Sequence, residues 1–334
     1  MIADTSGNGF IIDTTVGYIG LGTMGRPMAA NIARSGFELV VYDIRTEAGE
    51  ALEALGAKAA SSPRAVAERS DLVLVNVVND AQVRSVLLGD EGVLDALSAG
   101  ATVVVHSTIH PSTCRELADE AGRRGVGFLD GPFSGGAAAA EHGTLTLMVG
   151  GPAVVLDRCR PVLESMAATI FHVGDAGMGE AAKITNNAVL AVILEATHEG
   201  LQLSHASGID DEVMLSILRA SAGDSWIARN WRAVQETAAA YPGGARGMAD
   251  LVSKDLGLAL AIAQAEGVPL PAVALARTKA SLRRSLAAGL DEELATLGAT
   301  QAALLLGPDF AAATSRFRER GDQTRSRKGN STAR

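Results

Sequence analysis

Short apolar runs alternate with helical stretches through the first half of the chain, and this alternation limits the possible folds more than any other feature. The runs are VGYIG, ELVVYD, DLVLVNVV, ATVVVH and VGFLD, at residues 16–20, 38–43, 71–78, 101–106 and 126–130. Apolar runs separated by Ala-, Arg- and Glu-rich helical stretches are typical of parallel strands joined by crossover helices. The first half is therefore predicted to be α/β, a doubly wound parallel sheet with helices on both faces.

The first apolar run leads directly into the glycine-rich segment GLGTMG, residues 20–25. Three glycines at this spacing allow a tight turn, a close approach of the backbone to a pyrophosphate, and close packing of the next helix. The segment RPMAANIARSG supplies that helix, and Asp43 ends the second run about 20 residues further on, where an acid accepts hydrogen bonds from the adenosine ribose. This context predicts a Rossmann-type dinucleotide-binding domain.

The expected cofactor is NAD, because a carboxylate at position 43 would repel the 2′-phosphate of NADP. Arg45 keeps NADP open as the alternative, since its side chain can turn toward a phosphate. The predicted cofactor contacts in this region are Gly20, Leu21, Gly22, Thr23, Met24, Gly25, Asp43, Ile44 and Arg45.

Ligands on such sheets bind at the carboxyl ends of the strands. The residues at the ends of the third and fourth runs are Val77, Val78, Asn79, Ser107 and Thr108. We expect the nicotinamide end of the cofactor to lie there, with Thr108 also touching the substrate. The alternative is that Ser107 and Thr108 only begin the following helix, which Ser112 or Thr113 would cap.

The segment DGPFSGG, residues 130–136, presents a hydroxyl and unobstructed backbone N–H groups at Ser134, Gly135 and Gly136. Such groups suit a carboxylate, although a plain flexible turn explains the same letters. The alanines that follow predict a short helix, and LTLMVGG predicts a further strand.

From residue 177 to about residue 318 the chain shows only helical periodicity, broken at SHASGIDDE, SAGDS, YPGGARG and EGVPLP. We therefore predict a flexible N-terminus at 1–14, a dinucleotide-binding domain at 15–176, an all-α substrate and oligomerisation domain at 177–318, and a disordered tail at 319–334. A central helix is predicted from about Met178 to Leu203. It is apolar on nearly every face, yet Lys183 and Asn187 lie one turn apart near its start, where desolvating them is costly.

Four separated motifs resemble those of the β-hydroxyacid dehydrogenase family, which includes 3-hydroxyisobutyrate dehydrogenase and tartronate semialdehyde reductase. They are GLGTMGRPMAANI, DGPFSGGAAAAEHGTLTLMVGG, GEAAKITNN and KDLGLAL. The resemblance extends from about Val16 to Phe317, with all four motifs in order at normal spacing.

The resemblance implies a role for particular residues. Lys183 corresponds to the proton-transfer lysine, and Asn187 to the asparagine that helps to position the substrate. Ser134, Gly135 and Gly136 would hold the substrate carboxylate, and Lys254 would border the cofactor. The sequence departs from the family pattern at Val105, where an acid is common, and at Val77 and Val78, where Leu-Pro is usual. These differences change the wall of the pocket, so the resemblance does not identify the substrate.

Lysine suits the implied chemistry, because oxidising a hydroxyl by hydride transfer requires a group that takes the hydroxyl proton, and the reverse reaction requires one that returns it. An arginine would not exchange the proton. The expected function is hydride transfer between NAD(H) and a small β-hydroxy acid or its semialdehyde or keto partner. One alternative is an NADPH-dependent reductase of a related three- or four-carbon semialdehyde, including a phosphorylated or sulfonated one. Arg229, Arg232 and Arg246 are the candidate cations for such a charged substrate. The other alternative is a non-catalytic dinucleotide-binding module.

A formal charge of −9 disfavours nucleic acid or an anionic membrane as the main partner. Cys114 and Cys159 are too few for a disulfide framework and are expected to be packing residues. The sequence shows no secretory signal pattern and no uninterrupted apolar span, so a cytoplasmic protein is expected.

The histidines lack metal-ligand spacing, so no metal is expected. The apolar helical half predicts a homodimer or homotetramer, with Trp226 and Trp231 either packing helices together or shaping the pocket.

Overall fold

The structure is a computed structural model that describes residues 14–288, without the side chains of residue 245 and residues 280–288. The predicted flexible N-terminus up to residue 13, the last part of the helical region and the predicted tail at 319–334 lie outside the described residues. The described chain forms two compact units, one ending at Lys183 and the other beginning at Ile184.

The first unit alternates strands and helices. Its strands are β1 (Thr15–Ile19), β2 (Glu38–Tyr42), β3 (Lys58–Ala59), β4 (Leu72–Val75), β5 (Thr102–Val105), β6 (Gly127–Asp130), β7 (Phe133–Ser134), β8 (Leu145–Gly150) and β9 (Ala167–Gly174). Its helices are α1 (Gly25–Arg34), α2 (Glu50–Glu53), α3 (Pro63–Ala67), α4 (Asp80–Leu88), α5 (Pro111–Arg123), α6 (Gly136–His142) and α7 (Ala153–Glu164), with a 3₁₀ turn at Thr46–Ala48.

The strands of the described residues form one sheet in the order β3-β2-β1-β4-β5-β6-β8-β7, with β9 paired to β8. The first six of these are parallel, which confirms the predicted doubly wound sheet. Beyond β6 the sheet is mixed, because β8 runs antiparallel to both β6 and β7. The sequence analysis missed β9, in which only Ala167 is buried and which is defined by its backbone pairing with β8 rather than by an apolar pattern.

Side chains on alternate strand positions fill two apolar layers, one on each face of the sheet. One layer contains Val16, Tyr18, Leu72, Leu74 and Val104, packed against α1 and α7, and the other contains Ile19, Val73, Val75, Val103 and Val105, packed against α3, α4 and α5. Burial on both faces explains why the parallel strands are almost continuously apolar. Cys114 and Cys159 are free thiols buried in opposite layers, as expected for packing residues.

The second unit is helical. The helices from the end of the first unit onward are α8 (Met178–Ala206), α9 (Asp211–Arg219), α10 (Trp226–Arg229), α11 (Trp231–Ala240), α12 (Gly244–Ala265) and α13 (Pro271–Ala288). The four predicted breaks all fall between these helices. Among residues 14–288, no helix is both long enough and apolar enough to cross a bilayer.

Two apolar clusters hold the helices of the second unit together, and α8 contributes to both. Ile184 and Ala188 pack with residues of α12 and α13, and Leu201 packs with Leu215 and Trp231. The two tryptophans differ, because Trp231 is buried in the second cluster whereas the side chain of Trp226 is 57% exposed. Trp231 therefore has the packing role that was one of the two expectations for it.

Candidate active site

The predicted site residues occupy connections and helices rather than strand interiors. Residues 20–25 connect β1 to α1, residues 43–45 follow β2, residues 77–79 connect β4 to α4, Thr108 lies between β5 and α5, residues 134–136 lead from β7 into α6, Lys183 and Asn187 lie on α8, and Lys254 lies on α12. Because β1, β2, β4 and β5 are parallel, the segments that follow them lie at one edge of the sheet. The segments predicted to bind the dinucleotide therefore lie together at the carboxyl edge of the sheet in the first unit.

The three glycines of the turn have different surroundings. Gly20 has a φ of +96°, and a Cβ there would lie 2.1 Å from the carbonyl oxygen of Asn76. A Cβ on Gly25 would lie 1.9 Å from the carbonyl oxygen of Gly20. By contrast, a Cβ on Gly22 would have no described atom within 4 Å apart from its chain neighbours. The turn thus packs against its own protein at two glycines and leaves open space at the third, which fits the approach of a pyrophosphate.

Asp43 is fixed at the end of β2 by groups from two segments. It accepts hydrogen bonds from the backbone N–H of Leu21 at 2.7 Å and of Arg45 at 2.9 Å, and its Oδ1 lies 3.2 Å from Arg45 Nε. Burial by itself raises the pKa of Asp43, but the hydrogen bonds from Arg45 and Leu21 outweigh burial and hold the pKa below its usual value. The carboxylate is therefore kept charged beside the glycine turn, and Ile44 next to it is exposed.

The segments after β4 and β5 are joined by hydrogen bonds. The backbone N–H of Val77 donates to Ser107 Oγ at 2.8 Å, and Ser107 is buried. Asn79 caps α4 by accepting the Gln82 N–H at 3.0 Å. Val78 is exposed and Thr108 is half-buried. Ser107 and Asn79 thus have structural contacts in addition to the cofactor contacts predicted for this region.

The cap of α5 differs from the sequence expectation. Neither Ser112 nor Thr113 caps the helix. The cap residue is His110, whose Nδ1 accepts the Ser112 N–H at 3.2 Å, while Thr113 Oγ1 donates to Asp80 Oδ1 at 2.7 Å. The expectation was wrong because the helix begins at Pro111, two residues earlier than a Ser112 cap and three residues earlier than a Thr113 cap would allow.

His106, the residue after β5, has a buried ring whose Nδ1 is hydrogen-bonded to the carbonyl of Gly131. Since a carbonyl only accepts, Nδ1 carries the hydrogen. Burial lowers the pKa of His106 to about 4, and the bond to Gly131 opposes this shift only in part. The ring is therefore neutral in the folded protein at neutral pH, and it connects β5 to the segment that leads to Ser134.

We expect this histidine to make the protein sensitive to acid. The unfolded chain binds a proton at His106 once the pH falls below about 6.5, whereas the folded chain does so only near pH 4. The free energy of unfolding should therefore fall by about 2–3 kcal/mol between pH 7 and pH 4.5 on account of this one group. Urea unfolding of the wild type and of His106→Gln at both pH values measures the effect, which should disappear in the variant. An equal loss in both proteins would contradict it.

The Ser134-Gly135-Gly136 segment has a backbone that favours glycine. The φ angles of Gly135 and Gly136 are +133° and +72°. A Cβ on Gly135 would lie 2.6 Å from the Cβ of Ala139, whereas a Cβ on Gly136 would have no described atom within 4 Å apart from its neighbours. The helix that follows is joined to α1 by the Asn31 side chain, which donates to the carbonyl of Ala140 at 2.7 Å. This contact ties the segment to the helix after the glycine turn.

The amino end of α8, which carries Lys183, is held by a carboxylate that the sequence analysis did not single out. Asp130 Oδ1 accepts the Gly177 N–H at 2.7 Å, and Oδ2 accepts the Glu180 N–H at 2.9 Å. Burial raises the pKa of Asp130, and its backbone hydrogen bonds oppose that rise without cancelling it. Asp130 and Glu180 are buried, whereas Lys183 is half-buried. The available signal was an acid as the last residue of a predicted strand.

In the second unit, Asp255 brings together Asn187 and Lys254. Asn187 Nδ2 donates to Asp255 Oδ2 at 2.7 Å, and Lys254 Nζ lies 3.2 Å from Asp255 Oδ1. Because a carboxylate only accepts, the amide of Asn187 has to turn its nitrogen toward Asp255 and its oxygen away from it. The sequence analysis noted Asp255 only as the neighbour of Lys254, and the contact joins residues 68 positions apart.

Two of the arginines considered as cations for a phosphorylated or sulfonated substrate are already paired. The Arg229 guanidinium bonds to Asp224, and Arg232 Nε lies 2.9 Å from Glu236 Oε1. Both pairs lie on the surface of the second unit. They therefore do not supply unpaired cations for such a substrate.

Two family models match successive parts of the chain. The NAD binding domain of 6-phosphogluconate dehydrogenase matches residues 15–174. The model described as NAD-binding of NADP-dependent 3-hydroxyisobutyrate dehydrogenase matches residues 177–296. Together they confirm that the chain carries an NAD-binding domain followed by the helical region of this group of dehydrogenases.

Individual proteins agree with these models. The chain is 41% identical to an NAD-dependent L-serine dehydrogenase of Pseudomonas aeruginosa, over 78% of this chain and 89% of the relative. It is 40% identical to a 3-hydroxyisobutyrate dehydrogenase of the same organism, over 80% and 92%. The crystal structure of a 3-hydroxyisobutyrate dehydrogenase from Salmonella typhimurium is 32% identical, covers 86% of this chain and 99% of that one, and superposes with a TM-score of 0.73. With the glycine turn, Asp43 and the parallel sheet already described, these findings show that the chain is an NAD(P)-dependent dehydrogenase and belongs to the β-hydroxyacid dehydrogenase family.

Proposed function

We propose that this protein oxidises the hydroxyl group of a small 3-hydroxy acid, or reduces the corresponding semialdehyde, with Lys183 as the general acid and base and NAD as the preferred cofactor. The observation that carries the proposal is the half-buried Lys183 on α8, one turn before an Asn187 whose amide is held by Asp255. A lysine in this setting can exchange a proton with a hydroxyl group, which a purely structural lysine on a solvent-exposed face does not need to do.

The substrate class follows from the names of the relatives. L-serine and 3-hydroxyisobutyrate are both 3-hydroxypropanoates with one substituent at C2, an ammonium group in the first and a methyl group in the second. In both, a primary alcohol is on C3, the carbon next to C2, and C2 bears the carboxylate. We therefore propose a 2-substituted 3-hydroxypropanoate, with its carboxylate held by the hydroxyl of Ser134 and the backbone N–H groups of Gly135 and Gly136.

Each group in the proposed site would have a separate role in the reaction. The glycine turn would bind the pyrophosphate, with Gly22 leaving space for it and Gly20 and Gly25 shaping the turn, and Asp43 would hold the adenosine ribose. The bound nicotinamide supplies hydride acceptance, or hydride donation in the reverse direction. Lys183 removes the hydroxyl proton as the carbonyl forms and returns it on reduction, so that the alcohol loses one hydride and one proton. Asn187 turns its amide oxygen away from Asp255, and this oxygen accepts a hydrogen bond from Asn186 Nδ2 at 3.3 Å. Its second lone pair would accept a hydrogen bond from the substrate hydroxyl.

A substrate panel tests this function. The protein is mixed with NAD or NADP and with 3-hydroxypropanoate, both enantiomers of 3-hydroxyisobutyrate, or both enantiomers of serine, and nicotinamide absorbance is followed. Isobutanol, which lacks the carboxylate, and lactate, a 2-hydroxy acid, are the controls. We expect kcat/KM for the best 3-hydroxy acid to exceed that for either control by at least about 100-fold, the range of a well-placed charged contact. Binding of NAD without turnover of any 3-hydroxy acid would instead favour a dinucleotide-binding module.

Cofactor choice is tested separately at Asp43. Replacing Asp43 with serine removes the carboxylate proposed to hold the adenosine ribose and frees the neighbouring Arg45 guanidinium, which would then be able to bind a 2′-phosphate. We expect the ratio of kcat/KM with NADP to that with NAD to rise by about 10- to 100-fold, corresponding to about 1.4–2.8 kcal/mol. Glu50→Gln, an exposed acid on α2, is the matched control and should leave the ratio unchanged. A ratio that stays constant in Asp43→Ser would contradict the assignment of this carboxylate.

A further inference from the structure

Asp130 satisfies the backbone at the start of α8 from a different segment of the chain. The first N–H groups of a helix have no partner within the helix, and a side chain just before it normally caps them. Here the cap comes from the end of β6, 47 positions before Gly177, and each oxygen of one buried carboxylate accepts one of the N–H groups. The start of α8 is thus attached directly to the carboxyl edge of the sheet.

At this attachment, Gly150 and Gly179 lie so close to Asp130 and to neighbouring backbone that neither position has room for a side chain. A Cβ on Gly179 would lie 2.4 Å from the carbonyl oxygen of Met148 and 2.8 Å from Asp130 Oδ2. A Cβ on Gly150 would lie 2.6 Å from Asp130 Oδ1 and 2.8 Å from the nitrogen of Gly179. The position of the first turn of α8 is therefore set by hydrogen bonds and close contacts, which have little freedom to adjust.

A second carboxylate connects the same helical turn to the segment after β5. Glu180, which is buried, accepts the Ile109 N–H at 3.3 Å, and Ile109 directly follows Thr108. Glu180 also donates its own N–H to Asp130. One turn of α8 is thus bonded both to the end of β6 and to the predicted substrate-contacting segment, and Lys183 lies three residues further along that helix.

We propose that Asp130 is a positioning residue for the reaction, which acts through the first turn of α8 to set the place of the Lys183 amine relative to the edge of the sheet. The inference rests on the proposed role of Lys183. A shift of α8 by one residue moves a side chain by about 1.5 Å along the axis and about 100° around it. A displacement of about 1 Å at a reacting group can cost about 100-fold in rate.

Asp130→Asn is the direct test. Both oxygens of Asp130 accept N–H groups, so an asparagine has to turn its Nδ2 toward one of two donors, and that bond is lost. We expect kcat, expressed per NAD-binding site, to fall by about 10- to 100-fold with the KM for NAD within about twofold of the wild type. Asp119→Asn, an exposed acid on α5, is the matched control and should change neither value. If Asp130→Asn does not fold, Asp130→Glu, which keeps the charge but is longer by one methylene, carries the same test.

A double-mutant cycle separates positioning from a general loss of structure. Residual rates are measured at high enzyme concentration for Lys183→Ala with and without Asp130→Asn. If Asp130 acts through Lys183, its substitution should cost less than about twofold when the lysine is absent. The inference is overturned if the loss is equally large in the Lys183→Ala background, or if kcat per site of Asp130→Asn stays near that of the wild type. Failure of the proposed function gives a different result, namely a Lys183→Ala variant that retains most of its activity.

Discussion

Lys183→Ala should lower kcat for oxidation of the best 3-hydroxy acid by about 100- to 10,000-fold, the usual contribution of a positioned acid or base. In the proposed mechanism, alanine at this position would leave the hydroxyl proton without an acceptor, while the groups predicted to bind NAD in the first unit remain. The dissociation constant for NAD, measured by quenching of protein fluorescence, should stay within about twofold of the wild type, because the lysine is not among the proposed dinucleotide contacts.

Two further variants complete this test. Lys183→Arg keeps the positive charge but not the exchangeable proton, and we expect it to be nearly as inactive as the alanine variant. Lys58→Ala removes an exposed lysine on β3 that lies 3.8 Å from Glu38, and it should retain full activity. Substantial turnover in Lys183→Arg would mean that the cation stabilises charge without exchanging a proton, and the proposed chemistry would have to be abandoned.

The second large effect is expected at the glycine turn, where two alanine substitutions should fail in different ways. Gly22→Ala adds a methyl group to open space, so the free protein should unfold at the same temperature as the wild type. The same methyl group would occupy the space proposed for the pyrophosphate, and the dissociation constant for NAD should rise by at least about tenfold, or about 1.4 kcal/mol. Calorimetric melting and NAD titration measure the two quantities independently.

Gly25→Ala should show the opposite pattern. Its methyl group would lie 1.9 Å from the Gly20 carbonyl oxygen, a contact that only a movement of the backbone can relieve. We expect a loss of about 3 kcal/mol or more in the free energy of unfolding, at or above the upper end for overpacked interiors. Equal loss of stability in both variants would show that the space at Gly22 is not reserved for a ligand.

The glycine turn, the parallel strands and the long helix α8 were predictable from the sequence because each depends on neighbours along the chain. The spacing of Gly20, Gly22 and Gly25 specifies one turn between one strand and one helix. Period and composition predicted the breaks that separate the helices of the second unit. The edge strand β9 was not predictable in this way, because only Ala167 in it is buried and its pairing with β8 defines it.

Sequence reasoning also found the residues whose chemistry is distinctive, such as Lys183 and Asn187, from the cost of placing polar groups on an apolar helix. It did not find the residues that hold them. Asp130 is marked in the sequence only as an acid at the end of a predicted strand, which does not indicate its partners, and Asp255 was noted only for its place beside Lys254.

The sequence by itself determined the fold class and the order of the elements, because periodicity and backbone sterics act over a few residues. The candidate reacting groups were implied by its resemblance to the family. Only the tertiary structure decided which groups hold them in place, since a contact between Asp130 and Gly177 or between Asn187 and Asp255 spans 47 or 68 positions. Such pairs form when burial removes water from both partners, so that a donor and an acceptor distant along the chain have to satisfy each other.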